Sequence, residues 1–275
     1  MTKKSGKPSK FPAKAYNDFD FMNSRDARLL RIQAEYIEPE ARFEKYGVKD
    51  TIVFFGSART KSRRQAQIDL KRARADGSGI ERAEKDLAMS RYYEDARALS
   101  HQLTDWSKEF SNEMGRRFVV CSGGGPGIME AANRGASEAK GLNIGLNISL
   151  PFEQSENPYI THHLGFEFHY FFMRKFWFVY LAKAVIVFPG GFGTLDELFE
   201  LLTLQQTGKL TKPVKIVLFG TGYWNDIINF DALAEYGTIN KEDLDLLYLT
   251  DTVDEAFEYI TSELTAMLGD PGPAL

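Results

Sequence analysis

Cysteine is nearly absent from this sequence, and long apolar runs are absent as well. Cys121 is the only cysteine among 275 residues, so no disulfide can form within the chain, as is usual for proteins of a reducing compartment. The most apolar window, 166–187, is interrupted by charged residues such as Glu167, Arg174 and Lys183, which makes a membrane span costly. We therefore expect a cytoplasmic protein without a transmembrane segment.

The sequence also lacks an excess of positive charge. Its formal net charge of -4 at pH 7 gives no electrostatic footprint for DNA or RNA, so we expect no nucleic acid polymer as a partner. The four histidines show no metal-ligand spacing, and no metal is expected. No histidine stands at a recognisable partner spacing from Cys121, which favours a buried strand residue over a nucleophile. A small anionic ligand is compatible with this composition.

The strand and helix patterns predict an α/β fold. Short β-branched and aromatic runs, such as 51–56 and 214–219, alternate with helical patterns, such as 127–140 and 194–207. This alternation requires parallel strands joined by crossover helices, so we predict a Rossmann-like doubly wound parallel sheet in a single domain. Further strands are predicted at 118–121, 143–148, 184–188 and 246–249, and further helices at 170–183, 223–234 and 253–268.

Additional segments flank and interrupt this predicted domain. A helix from Arg25 to about Glu38 is expected to end because Pro39 interferes with it. The charged stretches 61–74 and 80–114 predict a helical hairpin, whose basic residues fit a solvated face better than a nucleic-acid patch. We predict a disordered tail (1–22), an N-terminal helical extension (23–50), a catalytic domain (51–268) with the helical insertion at about 61–114, and a loose C-terminus (269–275).

Glycine-containing loops follow three of the predicted strands, at 56–59, 122–127 and 189–194. The carboxyl ends of parallel strands meet at one crevice, so these loops should converge on one ligand. Glycines allow the backbone to approach a phosphate, and a helix that starts after the loop directs unpaired N–H groups at it. Each loop alone is equally compatible with a tight turn, and Arg59 either contacts phosphate or caps its own loop. The candidate binding residues are Ser57, Arg59, Gly124, Gly125, Gly190, Gly191, Gly193 and Thr194.

Two common phosphate motifs do not fit. A P-loop needs Gly-Lys-Ser/Thr after Gly and four residues, whereas Gly208-Lys209 is followed by leucine. The dinucleotide fingerprint that starts at Gly123 meets Ile128 where a third small residue is needed, and no carboxylate follows at 145–148 for a ribose hydroxyl. NAD binding is therefore disfavoured.

The segment 189–197, Pro-Gly-Gly-Phe-Gly-Thr-Leu-Asp-Glu, resembles the signature of the LOG (Lonely Guy) family of cytokinin-activating phosphoribohydrolases. The Arg174-Lys175 pair and the loop 123–129 resemble two further family motifs, and the resemblance covers about 51–268. It implies hydrolysis of an adenine-type nucleoside 5′-monophosphate, such as AMP or a cytokinin riboside monophosphate, to free base and ribose 5-phosphate. It also implies no cofactor, a homodimer or larger homo-oligomer, and a catalytic or substrate-positioning role for Arg174.

The chemistry of the motif supports this resemblance. Glycosidic cleavage passes through an oxocarbenium-like sugar, which a carboxylate such as Glu197 can stabilise while it orients or deprotonates water. Without the resemblance, Glu197 would be interpreted as a first-turn carboxylate that favours the helix dipole. Arg174 lies among aromatic residues and needs an anionic partner, either the substrate or a structural ion pair.

Three other functions are compatible with the same motifs. Members of the family have carried the label lysine decarboxylase, a reaction that needs an electron sink such as pyridoxal phosphate held by a lysine. Lys175 is a conceivable anchor, but the nucleotide-type loops favour substrate binding for it. A non-catalytic nucleotide or molybdenum-cofactor carrier and a broad-specificity nucleotide-salvage nucleosidase are the alternatives, and Glu197 with Arg174 argues against the carrier.

Overall fold

Short runs of apolar residues form one sheet in which every strand pairing is parallel. The computed structural model describes residues 12–111, 115–150 and 156–268. Within these ranges the strands are β1 (Thr51–Phe55), β2 (Val119–Ser122), β3 (Asn143–Ile148), β4 (Gly165–Phe168), β5 (Ala182–Val187), β6 (Lys215–Phe219) and β7 (Leu247–Thr250). They lie in the order β4-β3-β2-β1-β5-β6-β7.

Helices connect the strands and pack on the sheet. Those in the described part of the chain are α1 (Phe19–Asn23), α2 (Arg28–Lys45), α3 (Arg63–Asp76), α4 (Ile80–Ser107), α5 (Ile128–Glu138), α6 (Phe171–Tyr180), α7 (Phe192–Gln206), α8 (Thr221–Ile227), α9 (Phe230–Glu235) and α10 (Val253–Met267). None of these helices combines the length and the apolar character that a membrane crossing requires.

Both faces of the sheet are buried, as the strand composition requires. In β1, Val53 and Phe55 belong to the core on one face, and Ile52 and Phe54 belong to the core on the other. Helices α2, α6, α7 and α8 contribute side chains to the first core, and α4, α5 and α10 contribute to the second. The predicted Rossmann-like doubly wound sheet is therefore confirmed.

The strand order reverses direction between β1 and β5. From β1 the chain moves outward through β2, β3 and β4 on one side, and β5, β6 and β7 follow on the other. In an open α/β sheet, the loops on the two sides of such a switch point diverge and leave a crevice at the carboxyl ends of the strands. The loops that follow β1 and β5 therefore border the principal crevice of the fold.

Strand β4 is absent from the sequence prediction. It is a four-residue edge strand in which Phe166 and Phe168 are buried while Glu167 is exposed. The strand is short and is followed within three residues by α6, so its aromatic residues merge with the aromatic run of that helix in the sequence pattern.

Helix α2 continues through Pro39 to Lys45, whereas the sequence predicts an end near Glu38. A proline within a helix leaves the carbonyl four residues earlier without its usual donor. For Pro39 this is the carbonyl of Glu35, and the indole Nε1 of Trp177 donates to it at 3.0 Å. The Glu35 carboxylate also accepts from the backbone N–H groups of His169 and Tyr170, at 2.8 and 3.2 Å, just before α6 begins. Glu35 of α2 is therefore hydrogen-bonded both to Trp177 in α6 and to the two residues that precede α6.

The charged hairpin differs from the predicted insertion in the role of its second helix. Helix α4 is the crossover between β1 and β2, and it buries Ala96, Leu99 and Leu103 in the core that it shares with α5. Helix α3 is the mainly solvent-facing part of the pair. Three ranges that belong to predicted segments lie outside the described residues. They are 112–114 at the end of the predicted hairpin, 1–11 in the predicted tail, and 269–275, the predicted loose C-terminus.

Candidate functional site

A crevice of about 750 Å³ opens at the switch point of the sheet. The loop after β1, the loop after β5, the end of β3 and the helices α6 and α7 all contribute to its walls. Most of the residues selected from the sequence meet in this crevice although they come from distant parts of the chain. Those that line it are Ser57, Arg59, Arg174, Gly190, Gly191, Gly193, Thr194 and Glu197.

Helix α7 directs its N-terminus into this crevice. Gly191 is the N-cap and the helix begins at Phe192, two residues before the predicted start at Thr194. Within the described ranges no side chain caps the helix, so its first N–H groups have no intrahelical or side-chain acceptor there. Unpaired N–H groups and the positive end of the helix dipole form a ready-made anion site.

Backbone and tyrosine contacts hold the loops around this helix end. The Ser57 N–H donates to the Pro189 carbonyl at 3.0 Å, which ties the β1 loop to the β5 loop. The Tyr223 hydroxyl, from α8, donates to the Gly190 carbonyl at 2.6 Å. The Arg59 N–H donates to Ser57 Oγ at 3.1 Å, so the serine hydroxyl contributes to the loop itself while the Arg59 side chain faces the crevice.

The glycine loop after β2 lies mostly outside the crevice lining. Gly123 lines the crevice, but Gly124 and Gly125, predicted to bind substrate, do not. Their carbonyls accept from the Asn157 side chain at 3.0 and 3.1 Å. At Gly127, φ is +73° and a Cβ atom would lie 2.2 Å from the Ser57 carbonyl, so only glycine allows α5 to start against the β1 loop.

Glu197 and Arg174 form a buried pair on the wall of the crevice. Arg174 Nη2 lies 3.3 Å from Glu197 Oε1, and the side chains are 15% and 7% exposed. The guanidinium lies over the rings of Phe171 and Phe178, at 5.2 and 5.5 Å. Arg174 Nε is buried and finds no hydrogen-bond partner among the described residues. The hydrogen bond to Glu197 is long, and Arg174 also lines the crevice.

Burial controls the protonation of this pair. It raises the pKa of Glu197 from 4.5 to about 7, and the attraction of Arg174 and Lys175 only partly opposes the effect. Burial also lowers the pKa of Arg174, against the attraction of Glu197. A carboxyl group with a pKa near neutrality, in a crevice and beside one cation, is suited to accept or donate a proton at physiological pH.

Lys175 does not face the crevice, although the sequence predicts that it binds substrate. Its Nζ forms ion pairs with Asp196 at 3.0 Å and Glu200 at 2.7 Å. Consecutive residues of a helix point about 100° apart, so Arg174 and Lys175 reach different surroundings. Lys175 is absent from the crevice lining and joins α6 to α7.

Three lining residues that are absent from the residues selected on sequence are Asn147, Met129 and Tyr223, and of these only Met129 belongs to a motif, the loop 123–129. Asn147 is the second-last residue of β3, Met129 lies in the first turn of α5, and Tyr223 lies in the first turn of α8, which follows β6. Each follows a parallel strand or lies near its end, so strand polarity alone places them at this edge of the sheet. In the described part of the chain, no group of three or more His, Cys, Asp or Glu side chains is arranged to hold a metal ion.

Fold and site together define a Rossmann-like α/β protein with a buried carboxylate–guanidinium pair at the switch point. Residues 129–260 match the family model described as possible lysine decarboxylase. The chain also matches curated relatives named as LOG proteins, so the resemblance to this family is confirmed.

The curated relatives are similar over a limited stretch. A probable cytokinin riboside 5′-monophosphate phosphoribohydrolase, LOG4 of Oryza sativa subsp. japonica, is 36% identical over 81 residues, which cover 29% of this chain and 35% of the relative. LOG3 of Arabidopsis thaliana is 37% identical over 75 residues, covering 27% and 34%. The match therefore spans about a third of each relative's length.

Solved structures are similar over more of the chain but at lower identity. A Moco carrier protein from Chlamydomonas reinhardtii is 17% identical with a TM-score of 0.46, covering 79% of this chain and 99% of the other. The molybdenum cofactor binding protein from Rippkaea orientalis is 22% identical with a TM-score of 0.42, covering 62% and 88%.

Proposed function

We propose that this chain hydrolyses the N-glycosidic bond of a nucleoside 5′-monophosphate, with release of the free base and ribose 5-phosphate. The observation that carries the proposal is the buried Glu197–Arg174 pair beside the uncapped start of α7. The names of the curated relatives, which are phosphoribohydrolases, support the same reaction class. AMP and cytokinin riboside monophosphates are the substrates we propose.

The two halves of the site suit the two ends of such a substrate. The N–H groups at the start of α7 and the β5 loop suit a 5′-phosphate, because they provide backbone donors and a positive dipole end. Glu197 lies in the same helix, one turn after Gly193, so it would lie close to the ribose of a nucleotide held there by its phosphate. The apolar side chains of Met129, Ile148 and Phe178 provide a surface for the base.

Glu197 is the residue we assign to the chemistry. As a carboxylate it would stabilise the positive charge that develops on the sugar, and it would orient and deprotonate the attacking water. Its raised pKa makes it a stronger base than an exposed glutamate while leaving part of it ionised at pH 7. Arg174 favours the ionised form of that carboxylate, and its guanidinium lies at the crevice wall, where it would contact the substrate.

The phosphate should be required for turnover. We expect kcat/KM for AMP to exceed that for adenosine by at least about a thousandfold, because two or three charge-assisted contacts are lost with the phosphate. Release of adenine, followed by chromatography at equal concentrations of the two compounds, measures the ratio. Equal rates would show that the start of α7 does not bind phosphate in the productive complex.

We also propose that the chain forms a homodimer or larger homo-oligomer. Large aromatic side chains are exposed on α6 and at the start of α7: Phe171 by 51%, Phe172 by 54% and Phe192 by 92%. Exposed apolar groups that cluster in this way are typical of surfaces that associate.

Sedimentation velocity tests this association. Phe172 lies outside the crevice lining, so Phe172→Ser should weaken self-association at least about tenfold through the loss of buried aromatic area. Leu29→Ser, at a residue 72% exposed on α2, is the matched control and should change association little. A wild-type chain that sediments as an active monomer at micromolar concentration would contradict the proposal.

A further inference from the structure

A second cleft, of about 940 Å³, shares no lining residue with the crevice that contains Glu197. It lies where the start of α3, the middle of α4 and the second half of α5 come together, with Tyr159 at its border. Several basic residues of the charged hairpin therefore line a cleft, whereas the sequence predicts a solvated helix face for them. Nothing in the proposed hydrolytic reaction uses this cleft.

The charge in this second cleft is unbalanced. Five arginines line it, against the carboxylates of Glu94 and Asp95. Glu138, just outside the lining, accounts for two of the arginines: it is bound by Arg97 at 2.6 and 2.7 Å, and by Arg134 at 2.9 Å. Among the described residues, no carboxylate oxygen lies within 4.0 Å of the side-chain nitrogens of the other arginines, which are Arg63, Arg64 and Arg91.

These uncompensated guanidinium groups approach the cleft from two directions. Arg63 and Arg64 are the first residues of α3, whereas Arg91 projects from α4. The N–H of Arg63 donates to Glu94 at 3.0 Å, and that of Gln65 donates to the Ser62 hydroxyl at 3.3 Å. Nη2 of Arg91 donates to the Tyr92 hydroxyl at 2.6 Å, which leaves its other guanidinium nitrogens and the side chains of Arg63 and Arg64 as donors for a ligand. Guanidinium groups that converge on a concavity are suited to bind phosphate oxygens in bidentate fashion.

Apolar and aromatic surface lies beside the arginines. Tyr159 already stacks with a cation, since the Arg134 guanidinium carbon lies 5.5 Å from its ring centroid. Ile68, 44% exposed, lines the same cleft. A purely inorganic anion would leave both side chains unused, whereas a base or ribose attached to the phosphates could pack against them.

We propose that this cleft is a second ligand site, for an anion that contains two or more linked phosphates, and that the ligand class is a nucleoside di- or triphosphate. A nucleic acid strand fits the cleft less well, because Glu94 and Asp95 lie among the arginines and would repel a continuous phosphate backbone. This inference does not depend on the hydrolytic reaction proposed above, because the two sites have no lining residue in common.

Isothermal titration of the full chain with ATP and with inorganic tripolyphosphate tests the site. The double variant Arg64→Gln/Arg91→Gln removes from each direction one guanidinium that has no carboxylate partner among the described residues, and both residues are exposed, so the fold should be kept. We expect it to weaken binding of both compounds at least about tenfold, because one charge-assisted contact accounts for about that factor. Arg74→Gln is the matched control: Arg74 is 62% exposed on the same helix, pairs with Glu84 and lies outside the cleft. It should change affinity by less than about twofold.

The two compounds distinguish between the phosphates and the nucleoside. ATP should bind more tightly than tripolyphosphate, and Tyr159→Ala should reduce that difference while leaving tripolyphosphate affinity unchanged. Equal affinity of ATP and tripolyphosphate would overturn the nucleoside part of the proposal. Affinities that do not differ between the double variant and the wild type would overturn the site, as would tighter binding of a single-stranded oligonucleotide than of ATP. Failure of the hydrolytic proposal would affect none of these results, since none of these variants changes a residue of the crevice.

Discussion

Glu197→Gln should reduce AMP turnover by about a hundredfold to ten-thousandfold, because the amide keeps the size of the side chain but loses its charge and its basicity. Nucleotide affinity should largely persist, since the proposed phosphate contacts come from backbone groups at the start of α7. Measurement of kcat and of nucleotide affinity for the same preparation separates the two effects. The wild-type rate should also rise with pH through about 7, where Glu197 ionises. The pH profile of the variant should lack this rising limb.

Glu200→Gln is a suitable matched control for this variant. Glu200 lies one turn further along α7, is 35% exposed in its side chain and pairs with Lys175 outside the crevice. Its replacement should change turnover by no more than about threefold, as is common for substitutions away from the reacting groups. Near-normal cleavage by Glu197→Gln would show that Glu197 is a structural residue and that another group performs the chemistry.

The stability of Glu197→Gln relative to wild type should depend on pH. Because the pKa of Glu197 is raised from 4.5 to about 7 in the folded chain, the folded state binds the proton more tightly than the unfolded state. Stability from this group is therefore complete below pH 4.5 and is lost as the pH rises through about 7, by at most about 3 kcal/mol. Glutamine does not ionise, so the melting temperature of Glu197→Gln relative to wild type should increase between pH 5 and pH 8. The sequence alone predicts little change, because it places the residue at an open helix end, whereas Glu197 is 7% exposed.

Arg174→Ala should reduce kcat/KM by about a hundredfold or more at pH 7, for two physical reasons. The Glu197 carboxylate loses the cation that lies 3.3 Å away, and its pKa rises further, so that less of it is ionised. The substrate also loses the guanidinium donor that Arg174 brings to the crevice wall. A pH profile of kcat/KM from 5.5 to 9 distinguishes the two losses, because only the first moves the rising limb to higher pH.

Lys175→Gln provides the comparison for Arg174→Ala. Lys175 is the next residue of the chain and also lowers the pKa of Glu197, but less strongly than Arg174 does, and it lies outside the crevice. Its replacement should move the rising limb of the pH profile to higher pH, but by a smaller amount than Arg174→Ala does. A limb that stays in place in Arg174→Ala would show that the titrating group is not Glu197.

The sequence predicts best those features that depend on residues close together in the chain. Runs such as 51–56 and 214–219 have the composition of buried parallel strands, and the structure has β1 and β6 there. The converging glycine loops follow from the polarity of parallel strands, so Gly190 and Thr194 could be placed beside Ser57 without coordinates.

Features that depend on distant contacts are not visible in the sequence. Helix α2 passes through Pro39 because Trp177, 142 residues away from Glu35, donates to the carbonyl that the proline leaves unpaired. Similarly, the sequence motif does not show that Lys175 turns toward Asp196 and Glu200 while Arg174 faces Glu197. These arrangements depend on which helices become neighbours, and that is decided by the packing of the whole sheet.

The central claim is tested most directly by the products of a nucleoside 5′-monophosphate incubated with the full chain. Free base and ribose 5-phosphate should appear in equal amounts from AMP or from a cytokinin riboside monophosphate, and with Glu197→Gln both should form about a hundredfold to ten-thousandfold more slowly. Nucleotide that binds in the crevice and is recovered intact, with no free base formed by the wild-type chain, would contradict the account and favour the carrier alternative.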